Sequence, residues 1–243
     1  MRLDSQCILC LLKRHSETAA KYGDEAQVTA FSRDLMHTIC AGPVEMSAPF
    51  YTPGITKLFT EHFGLADDRF AEEKEVSNRF ALERFDRITG MVRAAEDPLY
   101  AGLQAAILGN YIDFSALQGE VSFEKLDEML SLLHTIEVDR AVFGQLRSDL
   151  EKGKALLYLT DNAGEIVFDR VGLEGIRDLC PELAITVCVR GGPAQNDATM
   201  ADARAGGMPS PGLGNGTRIP GTVRELASKE LKAALQTADV GIA

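Results

Sequence analysis

No segment of the sequence approaches the roughly 18 consecutive apolar residues that a membrane-spanning helix requires. The run Cys7-Ile-Leu-Cys-Leu-Leu12 is too short, and its flanks lack a small-residue cleavage site, so no secretory signal is read. Positive charge is also scarce. With 36 acidic against 25 basic side chains the formal net charge is -11, which argues against an extended phosphate-tracking surface, because nucleic-acid binders concentrate Lys and Arg. A small anion can still bind where a metal ion or a few local donors offset the field. Internal repeats and low-complexity tracts are absent. The five cysteines are an odd count, and without an export signal they read as thiols or metal ligands rather than a disulfide framework. The expected location is therefore cytoplasmic, with neither membrane nor nucleic acid as partner, and nothing in the sequence speaks to oligomeric state.

What is present is an ordinary globular composition, 45% apolar and 25% charged over 243 residues, enough chain for one large core or a main domain with a smaller companion. From Cys7 to about Asn110 the pattern is helical. Apolar residues recur at three- and four-residue steps in 28-VTAFSRDLMHTIC-40 and 54-GITKLFTEHFG-64, with Gly42-Pro43 and Thr52-Pro53 as punctuation. The stretch 72–95 alternates charge as a solvated helix does. Asp97-Pro98 opens a helix of small and apolar residues that ends near Gly109.

After residue 113 the period changes. The run 155-ALLYLTD-161 is short and apolar, 166–180 has helical spacing, and 184-AITVCVR-190 is β-branched and apolar. Strand, helix, strand with two continuous apolar strands is the pattern of a parallel sheet covered on both faces. The expectation is an α/β fold: a helical N-terminal region (1–112) packed on a Rossmann-like three-layer domain with a parallel sheet (113–243). The segment 206-GGMPSPGLGNG-216 reads as an exposed loop.

Ligands of open parallel sheets bind beyond the carboxyl ends of the strands. Asp161-Asn162 lies at one such end and 190-RGGPAQNDAT-199 just past the next, on strands roughly 4.8 Å apart. The two loops bring the carboxylates of Asp161 and Asp197 and the amide oxygen of Asn162, which are donors suited to Mg²⁺ or Mn²⁺. Ala163 and Gly164 fall where a first helical turn leaves N–H groups free for an anion. The same residues also fit helix caps, with Asn162 and Glu165 as a capping box and Asp197 as the cap of a helix over 198–206. Residue types alone leave both readings open.

The wording of 160-TDNAGE-165 and 190-RGGPAQNDAT-199 resembles the damage-control phosphatase family, formerly a domain of unknown function. The likeness extends to Cys7-x-x-Cys10-Leu-Leu, 72-EEKEVSNRFAL-82, 97-DPLYAGLQAAILGNYIDF-114 and Pro220-Gly221-Thr222, and its CxxC resembles the mainly prokaryotic subgroup. The resemblance implies a phosphatase that uses a divalent cation (Mn, Mg, Ni or Co) to hydrolyse small phosphorylated metabolites, sugar phosphates or damaged phosphometabolites, with Asp161, Asn162 and Asp197 as metal ligands. Asp161 and Asp197 then serve catalysis through the metal; Glu165, where it does not only cap the helix, is a candidate to orient the attacking water or to hold a supporting hydrogen bond. Arg190, at the end of the second strand, is placed to fork onto phosphate, and Asn110 and Asp113 are candidates for the substrate wall. Cys7, Cys10, His37 and Cys40, two i, i+3 pairs on neighbouring helices, form a further candidate zinc set. The chain stops at 238-ADVGIA-243, which reads as the start of a buried strand. In the resembling family a Lys-Gly segment contacting phosphate and a last helix follow, so the α/β domain is expected to be truncated at its C-terminal end.

Two other functions fit parts of the pattern. One is a non-catalytic metal or metabolite binder. The other, an S-adenosylmethionine-dependent methyltransferase, needs a glycine-rich loop after the first strand and an acid ending the second, where Arg190 stands.

Overall fold

The computed structural model describes residues 2–111, 123–208 and 212–243. Helices α1 (Ser5–Ala19), α2 (Glu25–Ala41) and α3 (Thr52–Phe63) are followed by α4 (Ala71–Glu83), α5 (Phe85–Arg93), α6 (Pro98–Tyr111), α7 (Phe123–Ser131) and α8 (Arg140–Lys152). Strand β1 (Ala155–Leu159), α9 (Glu165–Leu179), β2 (Ala184–Val189), α10 (Met200–Ala205), β3 (Leu213–Gly214), α11 (Lys229–Thr237) and β4 (Val240–Ile242) complete it. The expected α/β class is observed. No helix among the described residues is long and apolar enough to cross a membrane.

The sheet runs β3-β2-β1-β4, with every pairing parallel. Alternation along the strands sorts side chains to two faces. Leu156 and Tyr158 of β1 and Ile185 and Val187 of β2 pack with α6, α8 and α9 through Leu99, Phe143, Leu150, Leu173 and Ile176. On the other face Leu157 and Cys188 meet Ala227 and Leu231, the latter from α11. Both faces are covered, which is why the strands read as unbroken apolar runs.

Helices α1 to α3 enclose a core of their own around Leu11, Phe31, Leu35, Ile55 and Phe59. Helices α4 to α6 instead share a core with α9, through Phe80, Ile88, Ala105, Ile166 and Phe168. The boundary expected at 112/113 lies outside the described residues.

Two sequence expectations change. The segment 72–95 is not one solvated helix: it breaks at Arg84, and Lys74, Ser77 and Asn78 are buried, because that face of α4 lies against polar groups of the sheet-end loops. The Gly- and Pro-rich segment is not a plain exposed loop either. Leu213–Gly214 pairs with β2, and Asn215 is fully buried, its Oδ1 accepting the N–H groups of Gly191 and Thr217 at 2.9 Å each.

The contact that sets the helical layer on the sheet is made by glycines. Helices α6 and α9 run antiparallel, and a Cβ on Gly172 would lie 3.1 Å from the Gly102 carbonyl oxygen. A Cβ on Gly109 would lie 2.7 Å from Phe168 Cβ. We expect Gly172→Leu to destabilise the fold by about 2 kcal/mol or more through overpacking. Gly90→Ala, in α5 with open space around it, should be neutral or stabilising by up to about 1 kcal/mol. Urea unfolding midpoints of the two variants check both.

Candidate functional site

Thr160 ends β1 by donating both its N–H and its hydroxyl to the Cys188 carbonyl, at 3.0 and 3.1 Å. Beyond it the two sheet-end loops pair. The Asp161 carbonyl accepts from Ala198 N–H at 2.7 Å, Asn162 bridges Asp197 in antiparallel fashion, and Ala163 N–H donates to the Asn196 carbonyl at 2.9 Å. This short ladder brings Asp161, Asn162 and Asp197 together. The Asp161 side chain is half exposed, while Asn162 and Asp197 are buried.

Between the two carboxylates stands Arg190, 4% exposed. Its Nε donates to Asp197 Oδ2, one terminal nitrogen to Asp161 Oδ1 at 2.9 Å, and the other reaches Thr222 Oγ1 at 3.5 Å. Gly221 N–H adds a bond to Asp197 Oδ2 at 3.1 Å. Burial raises the Asp197 carboxyl above its usual range, an effect that Arg190 and the Gly221 N–H oppose.

Glu165 opens α9 and turns back. It accepts from Asn162 Nδ2 at 2.9 Å and from Asn110 Nδ2, at the end of α6, at 3.2 Å to each oxygen. Burial raises its pKa and these amides moderate the rise. One turn on, Asp169 is 2% exposed and takes the Tyr158 hydroxyl on Oδ1 at 2.6 Å. Its carboxyl is pushed well above the ordinary range by burial and then by the charge of Glu165. A cavity of about 670 Å³ opens beyond the carboxyl ends of β1, β2 and β4, lined by Asp161, Glu165, Asp169, Arg190 and Thr222 against an apolar wall that includes Leu103, Ile107, Val138 and Ile242.

The capping and anion-binding readings resolve unevenly. Glu165 does return to Asn162, whose N–H lies 3.4 Å from Oε2, yet the residue before α9 is Gly164, with φ of 84°. Asp197 caps nothing, because Thr199 and Asp202 form the capping box of α10. Ala163 and Gly164 do not offer free N–H groups to an anion. The first is spent on Asn196, and the second donates to Asn78 Oδ1 at 2.8 Å.

That last bond belongs to a buried relay which residue patterning does not reveal. Asn78 Nδ2 donates to Asp202 Oδ1 at 2.8 Å, Asp202 Oδ2 lies 3.9 Å from Lys74 Nζ, and Lys74 donates to Asp68 at 2.6 Å. A trace was there to be read: Lys74 and Asn78 stand at i, i+4, the spacing of one helix face. Asp113 lies outside the described residues. The candidate zinc residues do not gather: Cys10, His37 and Cys40 are exposed, Cys7 is half-buried, and the described residues hold no group of three or more His, Cys, Asp or Glu close enough together to hold a metal ion. Helices α1 and α2 meet instead through apolar residues such as Leu11, Phe31 and Leu35.

We expect Asn78→Leu to cost about 2 kcal/mol or more in chemical denaturation, because it leaves the Gly164 N–H and Asp202 Oδ1 without their partner. A second expectation concerns pH. A carboxyl whose folded pKa is raised stabilises the fold while it keeps its proton, and that contribution is lost as pH climbs through the folded pKa. His15, buried and pushed down to about 4, acts at lower pH. Once pH is high enough for His15 to be neutral in both states, the metal-free protein should therefore lose thermal stability as pH rises further above the ordinary carboxylate range. Asp169→Asn, which keeps an oxygen for Tyr158, should flatten that slope in melting curves.

Residues 3–243 match the family model described as damage-control phosphatase ARMT1-like domain. A damage-control phosphatase of Pyrococcus horikoshii is 33% identical over 247 residues, spanning 100% of this chain and 83% of that protein. One of Archaeoglobus fulgidus is 28% identical over 249 residues, spanning 100% and 84%. The crystal structure of a Pyrococcus horikoshii protein of the domain-of-unknown-function-89 family aligns with a TM-score of 0.83 at 26% identity, covering 100% of this chain and 84% of that one.

Proposed function

Because the chain belongs to the damage-control phosphatase ARMT1-like domain family, we propose that it hydrolyses small phosphorylated metabolites, with Asp161, Asn162 and Asp197 as donors to a divalent cation (Mn, Mg, Ni or Co). The observation that carries this reading is the pairing of two sheet-end loops so that two carboxylates close on one cation, the Arg190 guanidinium. The donor set suits a hard metal ion. Asp161 opens to the cavity, both hydrogen bonds that Asp197 accepts among the described residues fall on Oδ2, and Asn162 Oδ1 accepts one bond, from Asn196 at 2.7 Å, of the two it can take.

A bound divalent cation supplies charge neutralisation at the phosphoryl oxygens and lowers the pKa of water. The protein's own groups do the rest. Glu165, held by Asn162 and Asn110, orients the attacking water and accepts its proton. Arg190, buried beside Thr222, presents guanidinium N–H groups to the phosphate. The apolar wall excludes bulk water, which strengthens each of these electrostatic contacts. Asn110 holds Glu165 and lines the same cavity, so it also serves as part of the substrate wall.

Phosphate release from a panel of phosphomonoesters should require added Mn²⁺, Mg²⁺, Ni²⁺ or Co²⁺. Asp161→Asn and Asp197→Asn should each lower kcat/KM by about 100-fold or more, given that metal-derived stabilisation amounts to several kcal/mol. Turnover that persists in EDTA and in Asp161→Asn overturns the proposal. Metal-dependent thermal stabilisation without turnover of any ester would favour the non-catalytic metal or metabolite binder.

A further inference from the structure

Asp161, Glu165 and Asp169 line one cavity at four-residue intervals, and burial increases along the series, so Asp169 lies at the inner end. The proposed chemistry uses the first two and leaves Asp169 without a task. It is nonetheless an unusual residue to find there: a carboxyl 2% exposed, with no salt bridge among the described residues. One of its oxygens, Oδ1, takes the Tyr158 hydroxyl at 2.6 Å. Oδ2 has no hydrogen-bond partner among the described residues, although the side chain borders the cavity. Oδ2 is thus available to a ligand or to water in the cavity.

We propose that Tyr158 and Asp169 form a recognition subsite for a hydroxyl group on the organic part of the substrate, making them specificity-determining residues for the hydrolysis. This rests on the hydrolase reading above. The phenol proton is spent on Oδ1, so the Tyr158 oxygen faces a ligand as an acceptor, and Asp169 Oδ2 stands beside it. Burial and the nearby acids push the Asp169 carboxyl well above its ordinary range, which favours the form in which Oδ2 carries the proton and donates. Donor and acceptor side by side match an alcohol, which both gives and takes a hydrogen bond. An ammonium, which only donates, and a second phosphate or carboxylate fit less well, because Arg190 is the one cationic side chain among the described residues bordering the cavity. Leu103, Ile107 and Val138 line the carbon backbone's path. A site built to bond a hydroxyl discriminates strongly against the analogue that lacks it, since its own buried groups are then left unpaired.

The test compares two monophosphates of equal chain length, a hexitol 6-phosphate and hexyl phosphate, with the Mn²⁺-loaded protein. Wild type should prefer the hexitol ester in kcat/KM, and Tyr158→Phe should lower that preference about 3- to 10-fold, the worth of one hydrogen bond. Asp169→Leu should lower it further, and Asp169→Asn, which keeps a donor and an acceptor, should restore most of it. Melting curves confirm that each variant folds, and Tyr158→Phe retains the ring that packs in the core. Equal losses on both esters, or an unchanged preference, overturn the subsite. If wild type hydrolyses neither ester, the hydrolase reading fails, and calorimetric binding of the same pair in Mn²⁺ decides the subsite separately. Tighter binding of the hexitol ester that Tyr158→Phe abolishes upholds it; equal affinity for the two esters in wild type rejects it.

Discussion

The arrangement depends on a problem of like charges. Four acids, Asp161, Glu165, Asp169 and Asp197, converge at the ends of two strands, three of them largely buried, and among the described residues one guanidinium faces them. Carboxylates crowded in this way repel one another, and burial pushes them towards their protonated forms. The surrounding structure answers that strain with hydrogen-bond donors, all but Arg190 neutral. Asn162 and Asn110 hold Glu165, Gly221 N–H and Arg190 hold Asp197, and Tyr158 holds Asp169. Each of these donors comes from a different loop or element, so gathering the acids requires the sheet, α6 and the 215–222 segment to be in place together.

The relay through α4 belongs to the same logic. Loop 161–165 must turn sharply with Gly164 at positive φ, where a Cβ would meet Ser77 at 2.9 Å. Its N–H needs an acceptor away from water. Asn78 provides one and is itself fixed by Asp202, so a helix distant in sequence holds the turn that aims Asp161 and Glu165. Asn215 does the comparable work for the second loop, tying Gly191 and Thr217 beneath Arg190.

Much of this was legible before any coordinates. The apolar runs at 155–161 and 184–190 read as doubly covered strands, and the loops after them, expected to converge, do pair. The helices ending at Ala41, Phe63 and Leu179 lie where apolar spacing and glycine placed them. What escaped were polar residues whose burial depends on tertiary contact. Lys74 and Asn78 look like any solvated helix face until Asp202, more than 120 residues away, arrives opposite them. Leu213–Gly214 is too short and too rich in glycine to announce a strand, and only its neighbour β2 makes it one. The free N–H groups expected at Ala163 and Gly164 were lost for the same reason: their acceptors come from other parts of the chain.

The glycine seam between α6 and α9 adds a mechanical consequence. Where two helices touch backbone to backbone, no side chain can change rotamer to absorb a displacement, so the pair behaves as a stiff spar. Gly102 and Asn110 are eight positions apart on α6, roughly 12 Å along the axis, and Asn110 reaches Glu165 on the facing helix. The alignment of that amide with that carboxylate is thus set at the seam, two turns away. Thickening the seam would be felt at the cavity as a misaligned amide even in a protein that still folds.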